Sequence, residues 1–314
     1  MMYLKIGISW LLLLTLGVNA GPLQWGQVAD DAKWVAHIDF EGLRQTSLYK
    51  QISERFLKEP MAEVEAKIEK ATGLKIPLES LISVTAFGKS ATKAPDEEGV
   101  LVLELSPELK KIAMDLLWQS QQENAVKLPI SVTQIGSKKN AMFSIDNEIL
   151  VAGDSDSNYL CIGRNKDRVT RSINILGTNK QFGPVKSQFK EYPSPQGTLA
   201  YIALANAFEG VQLPAQQAKV LQMSKGASVA IGEFDENIFL KLLLSTENSD
   251  ASLQIQRILA GVQAVAMFNA KQPEWFPVLQ AIDIRNEDQR VFVNWNMSLQ
   301  NANKLIHALQ GSKQ

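Results

Sequence analysis

Two apolar stretches separated by only two polar residues leave a chain few ways to fold. Residues 141–145 and 148–152 are rich in apolar side chains, and only Asp146-Asn147 lies between them. Two residues can return a strand to an antiparallel neighbour, whereas a parallel neighbour needs a crossover of a dozen residues or more. The pattern recurs at 278–285 and 289–295 around Asn286-Glu287-Asp288, and at 227–232 and 237–245. Residues 81–88 and 99–105 pair in the same way across the polar tip 89–98. Further strands are expected at 34–40, 130–135, 160–163 and 198–204. An antiparallel frame is the expectation.

Helical spacing fills the intervals. Leu48, Ile52 and Phe56 form one stripe, and Met61, Val64, Ile68 and Ala71 a second, with Pro60 at its start and Gly73 as its C-terminal cap. Ser106-Pro107 opens a helix whose inward face is Leu109, Ile112, Ala113, Leu116 and Leu117. Others are expected at 167–176, at 215–223 with Gly226 as its stop, and at 299–309. A long helix capped by Asp250 should turn Leu253, Ile258, Leu259, Val262, Val265 and Met267 or Phe268 inward. Gly183, Pro184, Pro193 and Pro195 make 179–196 a connector. The expected organisation is therefore an α+β domain at 21–183 and a second at 184–314. The element order of one parallels the other: 34–43 aligns with 199–208, and 82–88 with 228–234. This implies two degenerate repeats, each a mostly antiparallel sheet with helices packed on one face.

The N-terminus reads as an address. Lys5 precedes an apolar run centred on Trp10-Leu11-Leu12-Leu13-Leu14, and Val18 and Ala20 suit the positions a signal peptidase reads. Residues 1–20 are expected to be a cleaved signal peptide, and the protein periplasmic or secreted. The run falls short of the roughly 20 apolar residues of a transmembrane helix, and no later stretch approaches that length.

The segment Asp31-Ala32-Lys33-Trp34-Val35-Ala36-His37-Ile38-Asp39, followed by Leu43-Arg44-Gln45-Thr46-Ser47-Leu48, resembles the opening of a group of uncharacterised secreted bacterial proteins. These share a signal peptide, a "DAxWVxHxD" strand and an "LRxSxL" helix start. The resemblance covers about twenty residues. It implies an exported α+β protein and brings no catalytic residue with it.

Chemistry is sparsely signalled. The 314 residues carry a net charge of −1, which gives nucleic acid no electrostatic footprint. One Cys excludes an internal disulfide, and with two His it leaves no zinc set that is not dominated by carboxylates. Cys161 reads as a small buried hydrophobe. His37 and Asp39, two apart on a strand, share a face, so Asp39 could orient the imidazole; no Gly-x-Ser-x-Gly elbow supplies a nucleophile. His307 lies in the final helix. Ser47-Leu48-Tyr49-Lys50 and Ser187-Gln188-Phe189-Lys190 have S-x-x-K spacing without companion elements. Asp154-Ser155-Asp156-Ser157-Asn158 begins like a calcium loop, but Tyr159 and Asn165 stand where Gly and Glu belong, so an acidic turn is the plainer reading. No catalytic residue, metal ligand or cofactor is assigned. Trp275 and Phe276, in a short loop between Pro273 and Pro277, are the binding candidates; the alternative is that both plug the core. The expected function is a non-catalytic exported protein that binds an envelope or extracellular partner. The alternatives are a carrier of a lipid or other apolar ligand, and a hydrolase whose site is assembled only in space.

Overall fold

The computed structural model describes residues 23–53, 77–90, 95–120, 132–135, 140–154, 157–176, 185–205, 223–270 and 275–302, with positions 62, 63, 65, 66, 69 and 304. The expected leader, the 215–223 helix, His307 and most of the 61–73 and 299–309 helices lie outside them.

Among the described residues, twelve strands form one antiparallel sheet: β1 (Trp34–Asp39), β2 (Leu81–Gly88), β3 (Gly99–Leu105), β4 (Val132–Gln134), β5 (Asn140–Ile145), β6 (Ile149–Asp154), β7 (Tyr159–Gly163), β8 (Thr198–Ala205), β9 (Ser224–Phe234), β10 (Asn237–Thr246), β11 (Ile282–Glu287) and β12 (Arg290–Ser298). The spatial order is β11-β12-β10-β9-β8-β1-β2-β3-β7-β6-β5-β4. The hairpins are those the turn residues dictate. Asp146 and Asn147 both take positive φ, as do Asp235 and Glu236, which is the primed geometry that matches strand twist.

Two expectations need correction. The strands of the two halves do not form two sheets: β1 pairs with β8, from Trp34 opposite Leu204 to Ile38 opposite Ala200, and joins them into one. Nor do the helices keep to one face. Helix α3 (Pro107–Gln119), N-capped by the Ser106 hydroxyl, packs on Leu103, Leu105, Leu160 and Phe143. Helix α4 (Lys166–Leu176) buries Val169, Ile173 and Leu176 on the opposite face, beside Cys161 and Ala152. Strands buried on both faces lose the apolar–polar alternation of a one-sided sheet. Two further helices, α1 (Phe40–Gln45) and α2 (Ser47–Ile52), precede α3 and leave β1 through the caps Asp39 and Thr46.

The α4 face holds the main core, with Val35, Phe87, Val102, Tyr201 and Phe239 under the 3-10 turn Trp25–Gln27. Tyr201 donates its hydroxyl to the Tyr192 carbonyl at 2.5 Å. Gly226, expected to stop a helix, lies within β9, where a Cβ would strike the Tyr192 ring and the Leu204 carbonyl. The α3 face also carries the long helix α5 (Ser249–Asn269), which covers Leu204, Ala227, Leu244 and Val291 through Ile255 and Leu259. Its cap is Asn248, whose side chain accepts from the Ala251 N–H at 2.8 Å, not Asp250.

At the sheet ends, β4 is three residues long and β11 alternates Asp283, Arg285 and Glu287 outward. No helix among the described residues is long and apolar enough to cross a membrane.

Candidate functional site

Three places could carry function. The first is the outer surface of α5. The sheet takes Ser252, Ile255 and Leu259, while Gln263 turns inward and donates to the carbonyls of Leu279 and Ile282 at 2.8 and 2.9 Å. That fixes the helix's rotation. Ile258, Val262, Val265 and Phe268 then face outward at 48%, 62%, 60% and 91% exposure. The spacing predicts these residues inward; the structure reverses them. From Ile258 onward the helix is apolar on nearly every side, so periodicity cannot say which side meets the sheet. The charged residues of α5 are Asp250 and Arg257, both before this stretch.

Trp275 and Phe276 open α6 (Trp275–Gln280), a short helix where a loop is expected; Pro277 sits in its first turn, where a missing N–H does no harm. Both rings are partly exposed, and α6 packs against α5. The α3 face of the sheet centre is also bare in part. Leu103, Val84, Ile38, Ala200, Ile231 and Leu240 stand opposite one another across six strands. Leu101, Ala86, Ala36, Ile202, Val229 and Leu242 form the adjacent rung. Ile38, Ile202 and Ile231 in these rungs are exposed.

The second place is polar. On the opposite face, Asp39, Ser83, Glu104 and Tyr159 are cross-strand neighbours on β1, β2, β3 and β7, and His37 and Thr85 form the next rung. Ser83 donates to Glu104 Oε2 at 2.8 Å and the Tyr159 hydroxyl to Oε1 at 3.2 Å. Burial, then the Glu104 carboxylate, hold the Tyr159 phenol well above its usual range. His37 Nδ1 lies 2.9 Å from the Thr85 hydroxyl, which is itself sealed in the core and cannot meet a substrate. Asp39 Oδ1 accepts the Gly42 N–H at 2.7 Å, and burial lifts its carboxyl to about 6. This row ends in an open cavity of about 640 Å³, into which His37, Asp39 and Glu233 all border. The structure thus brings His37 and Asp39 to one cavity. Glu233 carries no sequence signal, since it arrives from β9.

The third place is the turn with the calcium-like spacing. The Lys110 ammonium donates to the Asp154 and Ser157 carbonyls, so the chain's own cation occupies this turn. Residues 155 and 156 lie outside the described residues. Cys161 is fully buried and burial pushes its thiol up, as suits a packing residue.

No family model and no curated protein matches the chain. Among solved structures, crystal form III of TP0453 superposes with a TM-score of 0.44 at 12% identity, covering 92% of this chain and 100% of that one. Crystal form I gives 0.44 at 12%, with 93% and 99% covered, and form IV gives 0.43 at 10%, with 92% and 97% covered.

Proposed function

We propose that this is an exported, non-catalytic binding protein whose α5 surface receives an apolar helix of a protein partner in the envelope. The observation that carries the reading is the exposed row Ile258, Val262, Val265 and Phe268. The steps 258 to 262 to 265 follow the four–three spacing of a helix–helix seam. Gly261 and Ala264 beside the row allow close backbone approach. A helix that lies on a lipid surface is typically rich in Lys and Arg on its polar side, and α5 has one Arg. Trp275 and Phe276 extend the contact as aromatic anchors.

The test is a photo-crosslinking residue at Val262 in cells of the native host. A partner peptide with apolar four–three spacing, lost in Val265→Glu, supports the reading; adducts to lipid alone, or none, sink it. Export rests on the leader at residues 1–20, and N-terminal sequencing of the native protein should begin after Ala20. The proposed duplication is supported by strand order, since β1-β2-β3 and β8-β9-β10 each run outward from the central pair. A second reading, carriage of a lipid or other apolar ligand, is favoured by the exposed isoleucines of the sheet rungs.

A further inference from the structure

Independently of the α5 surface, we propose that the cavity at the ends of β1, β8 and β9 binds a small organic cation bearing a primary amine or guanidinium. Its volume, about 640 Å³, falls within the range of small-molecule sites. Its polar lining includes the carboxylates Asp39 and Glu233, the hydroxyls of Thr46 and Thr198 and the amides of Gln45 and Gln196. Among the described residues no Lys or Arg lines it, so its fixed side-chain charges are the two carboxylates, which favour a cation over an anion.

Asp39 gives the cavity its polarity. It is 4% exposed, and Gly42 N–H satisfies Oδ1. Among the described residues no donor reaches Oδ2. The nearest fixed cation, Arg44, turns its guanidinium to the Leu81 carbonyl at 2.9 Å. Glu233 Oε1 already accepts the Ser47 N–H at 2.9 Å, which holds that carboxylate at the rim. The Trp25 ring forms part of the wall and can add a cation–π contact.

A buried carboxylate without a cation is the least comfortable group here, and its carboxyl accordingly titrates near 6. Burial is the main cause, Gly42 N–H opposes it, Glu41 and Glu104 raise it further, and Arg44 lowers it slightly. His37 on the same strand and Glu233 from β9 also face the cavity. A bound ammonium favours the ionised form, so binding expels a proton below about pH 6, and affinity falls as the solution is acidified.

The experiment is titration calorimetry of the purified chain with agmatine, beside 1,4-butanediol, glucose and succinate. Agmatine should bind at about pH 7.5 and roughly tenfold more weakly at about pH 5, with proton release seen in buffers of different ionisation enthalpy. Asp39→Asn and Glu233→Gln each keep the side-chain oxygen that accepts a backbone N–H, and each should weaken agmatine about tenfold. The exposed Glu247→Gln should change nothing. The proposal is overturned by no agmatine binding at millimolar concentration, by equal binding of the diol or of glucose, or by affinity that ignores pH. The pH series on the unaltered chain keeps the test decisive even if a variant misfolds.

Discussion

Lys110 turns its ammonium inward, and the turn after β6 is built around it. The residue is 93% buried, and the Asp154 and Ser157 carbonyls accept from it. Lys110→Met should leave these carbonyls unsatisfied and cost about 2–3 kcal/mol, read as a lower midpoint in urea. Added calcium should not restore it. Local sequence could not show this, because Lys110 lies on α3, 44 residues before the turn it fills. Asp39 behaves differently. Its folded carboxyl, at about 6, lies above the unfolded value of 3.8, so the fold holds the proton more tightly. Stability contributed by that proton is complete below about pH 3.8 and is lost as pH rises to 6. Asp39→Asn keeps the acceptor for Gly42 and should therefore raise stability at pH 7, by about 1–2 kcal/mol after screening by the open cavity, and leave it unchanged at pH 3. Thermal melts at both pH values check the sign. The shared face of His37 and Asp39 was legible from their two-residue spacing; the cavity was not, since Glu233 on β9 and Gly197 in the turn before β8 are distant from them in sequence.

At the scale of elements, α5 separates packing from pattern. Its existence and length are plain in the apolar run from Leu253 to Phe268, but its orientation is not. Ile255 fills the core, while Val262 and Val265 look outward. Ile255→Ala should therefore cost about 2–4 kcal/mol, whereas Val262→Glu should stay within about 0.5 kcal/mol in the isolated protein. Denaturant midpoints of the two variants decide it, and equal losses would restore the inward reading. The hairpins show the opposite case. Asp146-Asn147 is read correctly from sequence because a two-residue turn states its own geometry, with no help from the rest of the fold; the strand expected at 227–232 instead continues to Phe234, which leaves Asp235-Glu236 as the turn. Gly226 misleads because a glycine near the start of a strand and a glycine ending a helix look alike until Tyr192 is seen to lie over it.

Across the whole molecule the decisive contact is the pairing of β1 with β8, between residues more than 160 positions apart. Long-range pairing leaves no local mark, which is why two sheets were expected where one exists. Residues from both halves also share the main core, Phe87 and Val102 from one and Tyr201 and Phe239 from the other. Unfolding in urea should be a single transition, with tryptophan fluorescence and circular dichroism coinciding. Residues 21–183 produced alone should show no comparable transition, because β1 would lose a neighbour and half its core.

Among the described residues, the sheet has two edge strands that another molecule could extend. One is β11, where Asp283 and Arg285 pair at 2.7 Å beside Glu287, and the other is β4, three residues long. Charge at the β11 margin denies an incoming strand a neutral surface, and the described part of β4 offers it a ladder of three residues. The exposed apolar side chains of α5 and of the sheet centre thus lie apart from the charged β11 margin, so growth of the sheet at that margin would not draw on them.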